Sequence, residues 1–171
     1  MKKIAKFEKV SFEQFKKDID KHFENRNYSE SDIRSFYDEI QLPTRATKGS
    51  AGYDFKCPIS LLLHKGQYVV VPTGIRVKME EGWTLKMYPR SGLGFKYGLE
   101  LANTVGIIDS DYYNSDNEGH IMLKMSHHLD EYMLPIKQGQ GVAQGVFVEF
   151  GIAQDDETTG IRNGGFGSTG M

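Results

Sequence analysis

The stretch QYVVVPTGIRVKM, residues 67–79, carries the clearest indication of fold class in this chain. Its two runs, 67–71 and 74–79, are rich in the β-branched residues that favour strands. Pro72 stands between them, and a proline has no N–H to donate to a sheet, so it breaks any continuous central strand. The pattern therefore predicts two short strands instead of one long one.

The sequence on the C-terminal side continues in the same style. Further strand patterns cover residues 83–88, which follow the polar turn EEG at 80–82, and residues 120–125 and 142–150. Many short strands with frequent glycine between them are typical of an all-β sandwich or barrel. We therefore expect a mainly β domain over residues 40–160.

The sequence before Pro43 has a helical pattern instead. Ser11 with Gln14 resembles a capping box, and Ser29 with Asp32 marks a second helix start. Apolar residues follow each start with helical spacing: Phe12, Phe15, Ile19 and Phe23 in the first helix, and Ile33, Phe36, Tyr37 and Ile40 in the second. The sequence thus predicts a helical N-terminal extension over residues 1–39 and leaves a glycine-rich C-terminal arm over 161–171.

The composition excludes several classes of protein. The chain has 171 residues, 39% hydrophobic and 26% charged, which suits one globular domain with a core. The formal net charge of -2 gives no electrostatic footprint for stable nucleic-acid binding, and the single cysteine excludes an intramolecular disulfide framework. No apolar run approaches the roughly 20 residues that cross a bilayer, so we expect no membrane association and a cytoplasmic location. His127 and His128 lack accompanying metal ligands and are interpreted as exposed loop residues.

The loop PRSGLG, residues 89–94, has the chemistry of an anion site. Arg90 offers a planar fork of donors that matches a phosphate, and Ser91 adds a hydroxyl. Gly92 lets an anion approach the backbone N–H groups closely. The alternative is an ordinary surface turn with a solvated arginine.

The segment NTVGIIDSDY, residues 103–112, ends an apolar run in a carboxylate. A rigidly held Asp109 is suited to act as general base for a water molecule, and Tyr112 is suited to stack against a sugar ring. A calcium loop built from Asp109, Asp111 and Asn114 fails because Tyr113 stands where an Asp or Asn is needed. The remaining alternative is that Asp109 and Asp111 cap a turn.

Two further glycine-rich segments complete the set. In GQGVAQ, residues 139–144, Gln144 is placed to order a phosphate or a water by hydrogen bonding. The alternative is that it forms hydrogen bonds with neighbouring backbone groups. In NGGFGSTG, residues 163–170, Phe166 offers a flat face to a ring, and Ser168 and Thr169 suit phosphate oxygens. This tail is read either as a lid over a nucleotide or as a frayed chain end.

Taken in order, these segments resemble the five motifs of the homotrimeric dUTP pyrophosphatases (dUTPases). The first motif is AGYD, residues 51–54, and the others are the four segments above. The resemblance covers roughly residues 40–170 and implies a dUTPase-like β-barrel or jelly-roll that forms a homotrimer with shared active sites. It also implies hydrolysis of dUTP to dUMP and pyrophosphate, which keeps uracil out of DNA and supplies dUMP for dTMP synthesis.

The resemblance implies a role for each matched residue. Asp109 would activate the water that attacks the α-phosphorus, and Asp54 would support the site. Mg²⁺ would be held by the substrate phosphates and water, with no direct protein ligand. The expected substrate-binding residues are Asn103, Ile107, Ile108 and Met122 for the uracil; Tyr112 for the deoxyribose; Arg90, Ser91, Gly92 and Gln144 for the phosphates; and Arg162, Phe166, Gly167, Ser168 and Thr169 for a closing arm.

Two parts of the chain depart from this family pattern. Residues 113–118 form an insertion between Tyr112 and Gly119, and the extension of residues 1–39 has no counterpart in the minimal family. Either part is a possible binding surface for another protein, which leaves a regulatory module as an alternative function. A related class deaminates dCTP, but its third motif reads Asp-Pro-Gly-Phe, so Asp109-Ser110-Asp111-Tyr112 favours dUTP hydrolysis.

Overall fold

The computed structural model describes residues 2–128 and 133–160. The predicted arm, residues 161–171, lies outside this described part. The described residues form three α-helices, α1 Phe12–Phe23, α2 Glu30–Asp38 and α3 Ser91–Tyr97, and two 3-10 helices, Glu24–Arg26 and Ser110–Asn114. They also form twelve strands: β1 Ala5–Lys9, β2 Thr44–Arg45, β3 Tyr53–Lys56, β4 Leu61–His64, β5 Val69–Pro72, β6 Ile75–Met79, β7 Trp83–Pro89, β8 Leu99–Leu101, β9 Gly106–Ile108, β10 Met122–His127, β11 Met133–Ile136 and β12 Gly141–Glu149.

The strands pair in antiparallel sheets around one core. The largest sheet has the order β2-β3-β12-β7-β9, and a three-stranded sheet has the order β5-β10-β8. Two pairs, β1-β6 and β11-β4, complete the set. The prediction of a mainly β fold behind an N-terminal helical segment is confirmed. Pro72 ends β5 as predicted, and Gly74 makes the turn into β6 with a φ of 73°.

Both helices of the extension begin where the sequence predicts. The Ser11 side chain accepts a hydrogen bond from the Gln14 amide, and Ser29 forms a complete capping box with Asp32. The structure adds a strand that the sequence did not predict, since β1 pairs with β6. The division of the chain into three parts, at residues 39 and 160, stays a prediction.

The extension packs into the same core as the sheets. Phe15, Ile19 and Ile33 of its helices are almost fully buried together with apolar residues of the strands. Phe7 of β1 has its ring centroid 5.2 Å from that of Tyr53 and 5.7 Å from that of Phe55. The extension is therefore joined to the five-stranded sheet by burial of apolar surface, which is the main stabilising contribution to such contacts.

The interpretation of His127 as an exposed loop residue is wrong. His127 lies at the end of β10, is fully buried, and its Nε2 bonds to the Leu63 carbonyl oxygen at 2.8 Å. The strand runs two residues further than its apolar pattern indicates, because a hydrogen-bonded imidazole ring replaces an apolar side chain at this position. His128 follows the strand and is exposed, as predicted. In the described part of the chain, no helix has the length and apolar character needed to cross a membrane.

Candidate functional site

Three neighbouring strands bring together the residues predicted to hold phosphates. Gln144 of β12 lies opposite Asp54 of β3 on one side and opposite Tyr88 of β7 on the other. Arg90 follows the end of β7, and its amide donates to the Val142 carbonyl oxygen at 3.0 Å. Residues from three separated parts of the sequence thus meet at one end of the five-stranded sheet.

The Arg90 guanidinium is held in place from two sides. One of its nitrogens, Nη2, lies 3.6 Å from the Asp54 carboxylate. On the other side is the backbone of Gly141, where an added Cβ would come within 2.8 Å of Arg90 Nη1. The side chain is 49% exposed, so the oriented guanidinium still faces solvent. Such a fork is suited to bind phosphate oxygens.

Gly52 makes room for the Gln144 side chain, as Gly141 does for Arg90. A Cβ added at Gly52 would lie 2.6 Å from Gln144 Oε1, so the absence of a side chain there makes room for the amide. Ser91 and Gly92 begin α3 and are exposed. A cavity of about 370 Å³ opens here, lined by Arg90, Ser91, Gly92, Leu93, Gln140 and Gly141. The sequence did not single out Gly52 or Gly141 as residues that shape the site, and only their backbone positions identify this role.

Asp109 lies on a different part of the same sheet. Strand β9 pairs with β7 so that Ile108 lies opposite Leu85, and Asp109 follows directly. The Thr84 hydroxyl donates to the Ile108 carbonyl oxygen at 3.0 Å, which fixes the peptide before Asp109. Asp109 then stands at the N-terminus of the 3-10 helix Ser110–Asn114 with an extended backbone, φ −82° and ψ 159°.

A cavity of about 690 Å³ borders Asp109. Its lining residues are Glu81, Gly82, Asp109, Ser110, Asp111, Phe150, Gly151 and Ile152. Ile152 is 75% exposed, so one wall of this cavity is an apolar surface open to solvent. The carboxylate of Asp109 therefore borders a recess with both polar and apolar walls, which is usual for the binding site of a small organic molecule.

The residues predicted to read uracil lie around the turn between β8 and β9. The Ala102 amide donates to the Lys124 carbonyl oxygen at 2.9 Å, which extends the pairing of β8 with β10. Asn103 lies within the turn that follows, where the Thr104 amide donates to the Leu101 carbonyl oxygen at 2.9 Å and Thr104 has a φ of 63°. Met122 begins β10 and lies opposite Pro72 of β5. Ile107 is 52% exposed on β9, which is an edge strand, and Ile108 is half-buried.

Tyr112 lies inside the molecule. The residue is 5% exposed, its hydroxyl donates to the His120 carbonyl oxygen at 2.8 Å, and the Asn117 side-chain amide donates to that hydroxyl at 2.8 Å. The ring therefore presents little surface to a ligand in the single chain. Its expected place beneath a deoxyribose stays a prediction.

The two groups of site residues are far apart within one chain. The register of β7 with β9 places Asp109 opposite Thr84. Arg90 lies six residues after Thr84 in the direction of β7. At about 3.3 Å per residue this separation is roughly 20 Å. The cavities beside Asp109 and beside Arg90 also share no lining residue. One chain therefore does not bring both groups to a single phosphoryl group.

The remaining predictions concern the C-terminal arm and the metal ion. The expected arm residues are outside the described part: Arg162, Phe166, Gly167, Ser168 and Thr169. Within residues 2–128 and 133–160, no group of three or more His, Cys, Asp or Glu side chains is placed to hold a metal ion.

Comparison with known proteins gives a consistent result. The dUTPase family model matches residues 38–170. The deoxyuridine 5'-triphosphate nucleotidohydrolase of Lactococcus lactis is 45% identical over 134 residues, which cover 77% of this chain and 89% of that protein. The crystal structure of the dUTPase from Streptococcus mutans is 34% identical, with a TM-score of 0.65, and the match covers 86% of this chain and 98% of that chain.

A more distant structure shares the fold. A variant of the dUTPase from phage phi11 of S. aureus, described with a structural Mg(II) ion, is 19% identical with a TM-score of 0.56. That match covers 72% of this chain and 93% of the phage chain. The family match begins at residue 38, so almost all of the N-terminal extension lies outside it.

Proposed function

Because this chain belongs to the dUTPase family, we propose that it hydrolyses dUTP to dUMP and pyrophosphate with Asp109 as the general base. The observation that carries the proposal is the position of Asp109. It stands at the end of β9, held by the Thr84 bond to the preceding peptide, at the edge of a cavity of about 690 Å³. The family and the enzymatic class are shown by the comparisons, and the residue roles are our inference.

Asp109 would take a proton from water as that water attacks the α-phosphorus. A base must lie within hydrogen-bond distance of the proton that it removes, so a fixed carboxylate is more effective than a mobile one. One general base typically contributes about 10²–10⁴-fold in rate. The remaining acceleration has to come from positioning and charge stabilisation of the phosphoryl groups.

The cluster of Arg90, Asp54 and Gln144 would supply that stabilisation. Asp54 orients the Arg90 fork without contacting substrate, and the Gln144 amide, with the hydroxyl of Ser91 and the backbone of Gly92, would complete the contacts to phosphate oxygens. The arm residues Arg162, Phe166, Gly167, Ser168 and Thr169 would close over the bound nucleotide, as in the family pattern.

Uracil would bind at the turn that carries Asn103. The side-chain amide of Asn103 offers both a donor and an acceptor to the edge of the base, and Ile107, Ile108 and Met122 would form its apolar surroundings. By resemblance to the family, this site would leave little room for a 5-methyl group on the base. Tyr112 would contact the deoxyribose only with a rearrangement that exposes its ring.

Mg²⁺ is expected to bind mainly through the triphosphate and water. The cavity beside Asp109 is lined by the carboxylates of Glu81, Asp109 and Asp111, and carboxylate oxygens are ligands of the kind that a hard cation shared with phosphate oxygens prefers. Bound there, the ion would neutralise negative charge on the phosphate oxygens. The protein residues would orient the same phosphates through Arg90 and Gln144.

The separation of Asp109 from Arg90 supports an active site shared between copies of the chain. If one copy supplies Asp109 and another supplies Arg90, a closed homotrimer completes three equivalent sites. Chains with Asp109→Asn and chains with Arg90→Ala should each retain only a small residual activity alone. Mixed 1:1 by refolding, they should regain about a quarter of wild-type activity, because random assembly pairs two intact halves at that frequency. Mixtures that stay inactive would argue for sites within single chains.

The direct test of the proposed function compares nucleotides. Purified wild-type protein with Mg²⁺ should release pyrophosphate from dUTP and discriminate strongly against dTTP, UTP and dCTP. Asp109→Asn should bind a non-hydrolysable dUTP analogue with nearly wild-type affinity but turn over dUTP at least about 10²-fold more slowly. Ammonia release from dCTP would support the deaminase alternative instead, and intact dUTP would contradict the proposal.

A further inference from the structure

The two parts of the chain that depart from the family pattern contact each other. Glu118 is the last residue of the insertion, and its carboxylate accepts hydrogen bonds from the Ser11 amide at 2.7 Å and the Ser11 hydroxyl at 2.5 Å. Ser11 is the N-cap of α1 in the extension. In a local capping box the carboxylate would come from the third residue of the helix, whereas here it comes from 107 residues away.

The position of Glu118 is unusual in its backbone as well as its contacts. It has a φ of 58°, which is uncommon for a residue with a side chain, so surrounding contacts must hold it in place. Burial alone would raise the pKa of Glu118, but the hydrogen bonds from Ser11 and the nearby Arg76 lower the pKa below its usual value. The carboxylate is therefore ionised when it caps α1.

The other end of the insertion is attached to β1 and β6. The Tyr113 hydroxyl donates to the Glu8 carboxylate at 2.7 Å. Arg76 of β6 donates to the Tyr113 carbonyl oxygen at 2.9 Å, and its guanidinium carbon lies 3.6 Å from the centroid of the Tyr113 ring. The insertion is thus fixed at both of its ends, by Tyr113 and by Glu118.

A buried pair just after the insertion makes a third connection. Nδ1 of His120 lies 2.6 Å from the Asp18 carboxylate of α1, and the Gln14 side chain donates to the same oxygen at 2.7 Å. Nε2 of His120 accepts from the Gly74 amide at 2.7 Å, so the proton of a neutral ring is on Nδ1 and points to Asp18. All three side chains are buried, with His120 fully so.

These three connections lead to Asp109 through a short path. The His120 carbonyl oxygen accepts from the Tyr112 hydroxyl at 2.8 Å, and the Tyr112 amide donates to the Asp109 carbonyl oxygen at 3.2 Å. Gly119 has a φ of 68°, and a Cβ there would come within 2.7 Å of the Tyr112 carbonyl oxygen. Residues 109–121, called here the Asp109 segment, are therefore packed as a unit against the extension.

We propose that Asp18 and Glu118 are positioning residues for catalysis, through which the N-terminal extension fixes the Asp109 segment. This inference rests on the proposed function, in which Asp109 is the base. Neither residue contacts substrate. Asp18 acts through His120, and Glu118 acts by tying the insertion to the N-terminus of α1. The extension is then a part of the catalytic apparatus supplied from outside the matched family region.

The test uses Asp18→Ala and Glu118→Ala in the full chain, measured as kcat and KM for dUTP. A displacement of about 1 Å near the chemistry costs up to about 10²-fold, so a loss of about tenfold in kcat is expected for each variant. KM should stay within about twofold, because the uracil turn and the phosphate cluster are not part of this network. Asp18→Asn keeps an oxygen that can accept from His120 and should recover most of the lost kcat.

Two controls separate positioning from general destabilisation. Asp20→Ala removes an exposed carboxylate two residues away on α1, which pairs with Lys16 on the helix surface, and should leave kcat unchanged. Ile19→Val weakens the packing of α1 without touching the network and should lower the melting temperature but not kcat. Hydrogen exchange adds a measurement independent of activity. The Tyr112 and Ser115 amides should exchange faster in Asp18→Ala and Glu118→Ala than in Ile19→Val.

The outcomes distinguish the two proposals. Folded Asp18→Ala and Glu118→Ala with wild-type kcat and wild-type exchange would overturn the positioning role. So would losses in kcat that Ile19→Val reproduces. If Asp18→Ala fails to fold, the half-buried Glu118 variant decides the question. A wild-type protein that leaves dUTP intact would refute the proposed function, whereas the exchange data would still report whether the extension holds the Asp109 segment.

Discussion

Replacing Gly141 by alanine tests the phosphate cluster without altering any side chain that would contact substrate. The added Cβ would lie 2.8 Å from Arg90 Nη1 and 3.3 Å from its Cδ and Cζ. Ordinary van der Waals contact begins at 3.4 Å, so the guanidinium must move by at least about 0.6 Å. Because this side chain is half exposed, it can move toward solvent at little cost to folding.

The expected loss is in activity and not in stability. Charge-assisted hydrogen bonds contribute about 1.5–3 kcal/mol each, so losing one to a phosphate corresponds to about a 10- to 100-fold decrease in kcat/KM. The ion pair with Asp54 is partly exposed and contributes at most about 1 kcal/mol to the free energy of unfolding. A Gly→Ala change at a compatible position also restricts the unfolded chain by about 0.4–1 kcal/mol, which offsets that loss.

Steady-state kinetics with dUTP and urea unfolding together measure both quantities. Gly49→Ala is the matched control, since a Cβ there meets nothing within 4 Å. In an Arg90→Ala background, Gly141→Ala should have no further effect, because its action passes through the guanidinium. The reasoning would be refuted if Gly141→Ala kept the wild-type kcat/KM. It would also be refuted if the losses caused by Gly141→Ala and Arg90→Ala were additive.

Three further predictions concern the arm, the buried carboxylate and the core. Deleting residues 163–171 should lower kcat for dUTP sharply with little change in melting temperature, since the buried core spans residues 10–143; an unchanged kcat would contradict the lid. Burial tends to raise the pKa of Asp18, but hydrogen bonds from His120 and Gln14 bring that pKa below the usual 3.8. The ionised Asp18 carboxylate therefore stabilises the fold above about pH 4, and this stabilisation is lost as the pH falls through the lowered pKa. The stability difference between wild type and Asp18→Asn, measured by urea unfolding, should therefore shrink below pH 4. Ile33→Ala should reduce the free energy of unfolding by about 2–5 kcal/mol in the same assay, because the side chain is fully buried, and a loss under 1 kcal/mol would contradict its place in the core.

Local patterns in the sequence placed α1, α2 and five of the twelve strands of the described chain, namely β5, β6, β7, β10 and β12. The N-caps Ser11 and Ser29 and the interruption at Pro72 act over a few residues, so they can be read directly. Strand β1 has the sequence AKFEK, with three charged residues among five, and its pairing with β6 depends on residues 66 to 74 positions away. Such non-local pairing leaves little trace in a short polar segment.

The predicted site residues were partly located by the same reasoning. Arg90, Asp54 and Gln144 come together because their strands are neighbours, which the motif order implied only through the family resemblance. The role of Gly141 depends on a clash that only coordinates can reveal. The burial of Tyr112 involves bonds to His120 and Asn117 that form only in the folded chain, and the bond from Ser11 to Glu118 depends on the tertiary packing of the extension.

The bond from the N-cap of α1 to Glu118 makes the N-terminal extension and the insertion depend on each other. A chimera that transplants only the insertion into a minimal relative would carry a Glu118 side chain and a strained backbone with no helix to receive them. A chimera that transplants only the extension would leave the Ser11 amide and hydroxyl without their acceptor, whereas a chain that lacks the extension would leave His120 without Asp18. Residues 1–39 and 113–118 are therefore best regarded as one module encoded in two pieces.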